Sequence, residues 1–178
     1  SKQPFLICLG HFANWDFCIK KANDLYPQVS IMYRKANNPI IDQIILDTRQ
    51  SPTVQMIPKG VSGSRKLLNA LKNKRSILML IDQKMNEGIE VPFLGRPAMT
   101  ANAIAKLSLQ YNYPIVPIRV VRTQGSNFTV TIHPSIQYNP TGDNDADCYN
   151  IMLILNNLLG EWVKDKPSQW FWFHNRWK

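Results

Sequence analysis

The feature that most constrains this chain is an apolar run, Phe5-Leu6-Ile7-Cys8-Leu9, that stops at Gly10 and passes almost at once into a helical pattern. Apolar residues in unbroken succession read as a strand buried on both faces, because a half-exposed strand would alternate. Trp15, Cys18, Ala22 and Leu25 then share one helical stripe. His11 therefore sits in a strand-to-helix turn, and Asp16 lies about one and a half turns into the helix. Helical side chains lean toward the N-terminus, so the sequence expects Asp16 to reach back and hold the His11 imidazole. A carboxylate on a histidine is the usual way to orient a general base.

The same alternation recurs downstream. Residues 29–33 read as a second strand, and Asn38-Pro39 as the cap and first position of a helix that ends near Arg49. This helix carries Ile40, Ile41, Ile44 and Ile45 on one face. A third strand follows at 54–57, a helix capped by Ser62 or Ser64 runs to about Asn73, and residues 76–81 form a strongly apolar strand. Strands alternating with helices imply βαβ units and a largely parallel sheet. Such sheets take ligands beyond the carboxyl ends of their strands. His11, Arg34 and Asp82 each follow a strand directly, so topology gathers them on one edge. Arg49, at the far end of its helix, is not brought there by periodicity.

Residues 87–90 read as a loop, 91–94 as a short edge strand, and Thr100 as the cap of a helix over 101–111. A strand ending at Arg122 turns back at Gly125-Ser126 into a hairpin with 128–132. An acidic loop at 143–147 leads into a last helix from Tyr149 to about Lys164. The fold class expected is α/β, with a mixed, mostly parallel sheet flanked by helices.

At 178 residues the chain is one domain, residues 1–178, and no apolar run is long enough to cross a bilayer. The abrupt start, Ser1-Lys-Gln-Pro4 directly before a core strand, suggests a fragment lacking an N-terminal membrane anchor. Three cysteines, Cys8, Cys18 and Cys148, show no metal-ligand spacing and point to a reducing compartment. Cys8 lies inside the first strand, which argues against a Cys8–His11 nucleophilic pair. Net charge is +9, and residues 1–142 hold 17 Lys and Arg against 7 Asp and Glu. A basic surface attracts phospholipid, phosphorylated sugars, an acidic carrier protein or nucleic acid, although a merely solvated lysine-rich surface fits as well. A nucleic-acid-binding domain is the rival from another class, but no binding motif and no aromatic interleaving support it.

Several stretches together resemble one family. Gly10-His-Phe-Ala-Asn-Trp-Asp16 is similar to the Gly-His-Phe-x-Asn-Trp-Glu block of the bacterial lipid A biosynthesis acyltransferases, with Asp16 for the more usual Glu. Tyr33-Arg34, Asn38-Pro39 and Asp42 resemble the next block, and Arg49 falls where that family carries a functional arginine. Ile81-Asp82-Gln83, Val91-Pro-Phe-Leu-Gly-Arg-Pro97, Pro114-Ile-Val-Pro117 and the C-terminal 169–178 stretch continue the same order. Asp82-Gln83, where glycerolipid enzymes carry Glu-Gly-Thr, argues against the glycerolipid branch. The resemblance implies a glycerolipid-acyltransferase-like fold and transfer of a fatty acyl group from an acyl-carrier-protein thioester to a hydroxyl of a lipid A precursor. His11, Asp16, Arg49 and Asp82 become the expected catalytic residues. His11 would be the base, Asp16 its orienting acid, Arg49 an anion-binding group, and Asp82 a support for Arg49 or a substrate hydroxyl. Arg34, Asn14 and Gln83 are the expected substrate-binding residues. No metal and no cofactor is expected, and the partners implied are the carrier protein, the lipid precursor and the anionic cytoplasmic face of the inner membrane. Another phospholipid or glycolipid acyltransferase of the same superfamily is the alternative. The C-terminal aromatics, Trp170 to Phe173 and Trp177, are expected to close the core rather than meet a bilayer.

Overall fold

A computed structural model of the chain describes residues 3–19, 28–49, 51–173 and 175–177. Strands β1 (Leu6–Leu9), β2 (Val29–Tyr33), β3 (Val54–Pro58), β4 (Ser76–Leu80), β7 (Ile115–Arg122) and β8 (Phe128–Ile132) form one sheet in the order β3-β2-β4-β1-β7-β8. All pairings are parallel except β7 with β8, a hairpin. The mixed, mostly parallel α/β sheet is thus the fold class the sequence predicts. β5 (Lys84–Phe93) and β6 (Arg96–Thr100) make a separate antiparallel pair.

The helices are α1 (Pro39–Arg49), α2 (Val61–Lys72), α3 (Ala103–Tyr111) and α4 (Asn144–Asp165). Residues 16–19 are helical as well, while Ala22 and Leu25 of the expected stripe lie outside the described residues. The unbroken apolar strands are explained by two covered faces. Leu6, Cys8, Ile77, Met79 and Ile115 pack with Ala70, Ile104, Ile151 and Leu155 of α2, α3 and α4. Ile7, Leu9, Ile31, Leu78 and Val120, the alternate residues, pack with Cys18 and Ile19 on the other side.

Several expected elements differ. Residues 87–90 are not a loop but the middle of β5, which bulges between Lys84 and Ile89. Thr100 ends β6 rather than capping a helix, and Asn102 stands at the start of α3. The acidic stretch 143–147 is the cap and first turn of α4, where Asp143 accepts from the backbone N–H groups of Asp145 and Ala146. Carboxylates there complement the helix dipole, so an acidic cluster marks a helix start as readily as a loop. Neither Ser62 nor Ser64 caps α2, which begins after Gly60 without a side-chain cap. On α1 the isoleucine face is turned outward, with Ile40, Ile41 and Ile44 exposed, while Asp42 is buried and accepts the Ala36 N–H at 2.9 Å.

Helix α2 lies tightly on the end of β3. A Cβ on Gly63 would fall inside bonding range of the Pro58 carbonyl, so only glycine permits this approach. Gly63→Ala is expected to destabilise the fold by about 1–3 kcal/mol or more, as overpacking against rigid backbone does. Urea unfolding tests this, and an unchanged midpoint would contradict the packing described.

Candidate active site

β1 and β4 are neighbours with Leu9 opposite Leu80, so continuing the register by two residues sets His11 against Asp82. Adjacent strands are about 4.8 Å apart, close enough for one carboxylate to bridge both chain ends. His11 Nδ1 lies 2.5 Å from Asp82 Oδ1, and the His11 backbone N–H donates to Asp82 Oδ2 at 2.6 Å. The Trp170 indole N–H donates to the same Oδ2 at 2.9 Å. Asp82 is buried and His11 nearly so, at 3% and 12% side-chain exposure. Burial raises the Asp82 pKa, but the bond and charge of His11, its backbone N–H and the Trp170 indole outweigh it and hold the carboxyl below its usual value. An ionised carboxylate only accepts, so the neutral imidazole carries its proton on Nδ1 and keeps a lone pair on Nε2. Gln83 Nε2 approaches that Nε2 at 3.5 Å, a long contact.

The C-terminal segment fixes the turn that bears His11. Ala13 N–H donates to the Gln169 carbonyl at 2.7 Å and Phe171 N–H to the His11 carbonyl at 3.0 Å, with a bridge between Phe12 and Trp170. Gln169 also bonds both the N–H and the carbonyl of Arg122 at the edge of β7. A cavity of about 490 Å³ opens on His11 between Trp15, Arg122, Gln169, Trp170 and Phe171. A larger one, about 880 Å³, lies between α1, β3 and α2 and contains none of the expected catalytic residues.

Asp16 differs from the expectation. It pairs with Arg49, whose Nε and Nη2 both reach Asp16 Oδ1 at 2.8 Å. The reason is local: Ala13 takes a positive φ of 45°, and helix begins only at Asp16. With no preceding helical turn to lean over, the Asp16 carboxylate does not meet the imidazole, and Asp82 takes that place. Asp82 in turn does not bond Arg49. Arg49 nonetheless belongs to the neighbourhood, because its guanidinium lies 4.8 Å over Trp15, and Trp15 stands edge-on to His11 at 5.2 Å.

The remaining expected residues are less engaged. Arg34 and Asn14 are exposed, and among the described residues neither side chain makes a hydrogen bond. Cys8 and Cys18 are buried free thiols, raised by burial, Cys18 to about 12, and so are no nucleophiles at neutral pH. His133 follows β8, stacks on Trp162 at 5.3 Å and is kept neutral by burial and by Arg119. Among the described residues no three His, Cys, Asp or Glu side chains converge on a metal-sized point.

Two contributors were not singled out by sequence pattern. Trp170 was placed only as a core aromatic, and it is indeed buried, as the C-terminal expectation has it, yet its indole bonds the carboxylate of the site. Lys59, at the end of β3, feels desolvation that lowers its pKa, opposed by the pull of Asp82 and joined by the push of Arg34. The only signal for Lys59 was its place just after a strand. Phe171, Trp172 and Phe173 depart from the core expectation and are exposed, Phe171 in the cavity wall.

The fold is thus an α/β sheet with a carboxylate-held histidine at the carboxyl edge of its parallel strands. The family model described as bacterial lipid A biosynthesis acyltransferase matches residues 1–178, and the chain belongs to that family. It is accordingly an acyltransferase of lipid A biosynthesis. No curated protein matches the chain.

The depressed Asp82 pKa has a consequence for stability. A carboxyl lowered on folding contributes stability above its unfolded value, near 3.8, and loses it as pH falls through the folded value. The stability advantage of the wild type over Asp82→Asn is therefore expected to shrink below about pH 4. Urea midpoints measured from pH 7 down to pH 3 check this, and a constant difference would contradict it.

Proposed function

We propose that the chain transfers a fatty acyl group from an acyl-carrier-protein thioester to a hydroxyl of a lipid A precursor, with His11 as general base. The observation that carries this reading is the His11 Nδ1 bond to Asp82, which leaves Nε2, met only by the long 3.5 Å contact of Gln83, as the acceptor at the cavity. A sugar-linked hydroxyl is a weak nucleophile until its proton is removed. Nε2 takes that proton as the hydroxyl oxygen attacks the thioester carbon. The tetrahedral intermediate then collapses, the C–S bond breaks, and the proton passes to the departing thiolate. Asp82 stabilises the imidazolium formed in between.

Arg49 supplies a fixed guanidinium for an oxyanion or a lipid phosphate, and Asp16 holds it in place. Arg34, Asn14 and Gln83 serve as substrate contacts along the same rim, where exposed Arg34 and Asn14 have side chains free of protein hydrogen bonds among the described residues. The excess of basic residues suits both an acidic carrier protein and an anionic lipid surface.

A membrane-facing active edge is part of this reading. Phe171 stands beside His11, with exposed Phe173 stacked on it and exposed Trp172 against Trp170, and the α1 isoleucines and Val61 lie beyond the carboxyl ends of β2 and β3, next to Arg34, Lys35 and Lys59. Apolar side chains interspersed with cations are what an interfacial surface needs. No described helix is long and apolar enough to cross a membrane. The reading has the cytoplasmic face of the inner membrane as the site of action.

His11→Ala is expected to reduce acyl transfer to background while still folding, with an unfolding midpoint lowered because the buried Asp82 loses its ring partner, and Asp82→Asn to lower kcat by roughly 10²–10⁴. Acylated product from a carrier-protein donor and a lipid A precursor, followed by mass spectrometry, is the measurement. Full turnover by His11→Ala would remove the reading. For the membrane edge, replacing Phe171, Trp172 and Phe173 together by Ser should weaken co-sedimentation with phosphatidylglycerol vesicles at least about tenfold. Unchanged sedimentation would exclude that edge as the docking face.

A further inference from the structure

Arg176 is the largest fully buried side chain among the described residues, with no exposed surface. Its Nη2 donates to Thr100 Oγ1 at 3.0 Å and to Asn156 Oδ1 at 3.3 Å, both neutral acceptors. Its Nε and Nη1 have no partner among the described residues. The guanidinium carbon lies 4.3 Å from the centre of the Phe93 ring. A buried cation without a bonded carboxylate is costly, and proteins rarely keep one without a counter-charge nearby.

The counter-charge is across two rings. Phe93, which carries Arg176, packs against Trp170 at 5.4 Å, and Trp170 bonds Asp82. Burial lowers the Arg176 pKa to about 10, and Asp82 is the charge that pulls it back up. Arg176 thus belongs to the electrostatics of the site although it touches neither His11 nor the cavity. Asp82 does not bond it directly, because the Trp170 indole that donates to Asp82 and the Phe93 ring beneath the guanidinium lie between them.

We propose that Arg176 is the buried counter-charge of the Asp82–His11 pair, a positioning residue that limits how strongly Asp82 draws a proton onto the imidazole. Without a compensating cation, a buried carboxylate stabilises imidazolium, and a histidine protonated at neutral pH cannot act as a base. This role, which rests on the reading of His11 as the base, is exerted through Asp82 alone. Other charged groups in the vicinity are Lys59 from the end of β3, which also feels Asp82, Arg122 in the cavity wall, and the Asp16–Arg49 pair behind Trp15. Arg122 is exposed, Lys59 at the end of β3 is only partly desolvated, and the Asp16–Arg49 pair is internally neutral, so Arg176 is the most completely buried of these cations.

The test is a nuclear magnetic resonance titration of the imidazole C–H signals, which needs no substrate and so does not depend on the acyltransferase reading. The chain has three histidines, His11, His133 and His174, and His11→Gln assigns the relevant signal. Arg176→Met removes the charge but keeps an apolar stem, an exchange that buried charges often tolerate. Arg176→Gln, which keeps an amide donor for Thr100 and Asn156, is the second charge-free variant should the first fail to fold. Either is expected to raise the His11 midpoint by about 0.5 pH unit or more, whereas Arg176→Lys, keeping the charge, leaves it within about 0.2. A purely structural arginine would change the unfolding midpoint and leave the titration in place. A folded charge-free variant with an unmoved or lowered His11 midpoint overturns the proposal. So does a shift in Arg176→Lys as large as that in Arg176→Met.

Discussion

One carboxylate, Asp82, joins three separate parts of the chain. It receives the ring and backbone of His11 from the end of β1 and the indole of Trp170 from the C-terminal segment, while it stands itself at the end of β4. That convergence requires β4 to lie beside β1, although β2 and β3 intervene in sequence. Packing is close at Gly10, where a Cβ would come within 2.7 Å of the tip of Leu159, which would have to shift. The return of residues 169–171 along the His11 turn completes the convergence, through backbone bonds on both sides of Phe12. Strand order and one returning segment thus both serve the same pair of side chains.

Much of the sheet was legible because its strands are buried on both faces and so declare themselves as continuous apolar runs. The same logic put His11, Arg34 and Asp82 on one edge, which the structure bears out through the parallel register. The partner of His11 was not legible. Helical spacing favoured Asp16, but the chain between Gly10 and Trp15 is not helical, and Ala13 in a left-handed conformation breaks the geometry on which that expectation rested. The true neighbour depends on which strands are adjacent, and the order β4-β1 is a tertiary fact that no local pattern contains. The second hairpin was missed for a similar reason: the first half of β5 is largely polar, with Lys84, Asn86 and Glu87, and its pairing with β6 and packing on α4 hold it as a strand where residues 87–90 alone read as a loop.

The interior of this acyltransferase is more charged than its apolar strands suggest. Asp82 and Arg176 are both buried, and neither is solvated by water to any extent. They are separated by Trp170 and Phe93, two aromatic side chains from the C-terminal segment and from β5. The aromatic stretch 170–177 therefore divides its tasks. Trp170 bonds the carboxylate, Trp177 is half-buried and donates to the Phe93 carbonyl, and residues 171–173 remain exposed, Phe171 in the cavity wall. A core signature and an exposed surface occupy neighbouring positions because the segment runs along the edge of the sheet rather than through it.

Asp82, and not Asp16, holds the His11 ring. Nitrogen-15 spectra of the histidine side chains at neutral pH read the tautomer and the Nδ1 proton directly. The account predicts a strongly hydrogen-bonded Nδ1–H in the wild type and in Asp16→Asn, lost or weakened in Asp82→Asn. Loss of that signal in Asp16→Asn with its retention in Asp82→Asn would contradict it.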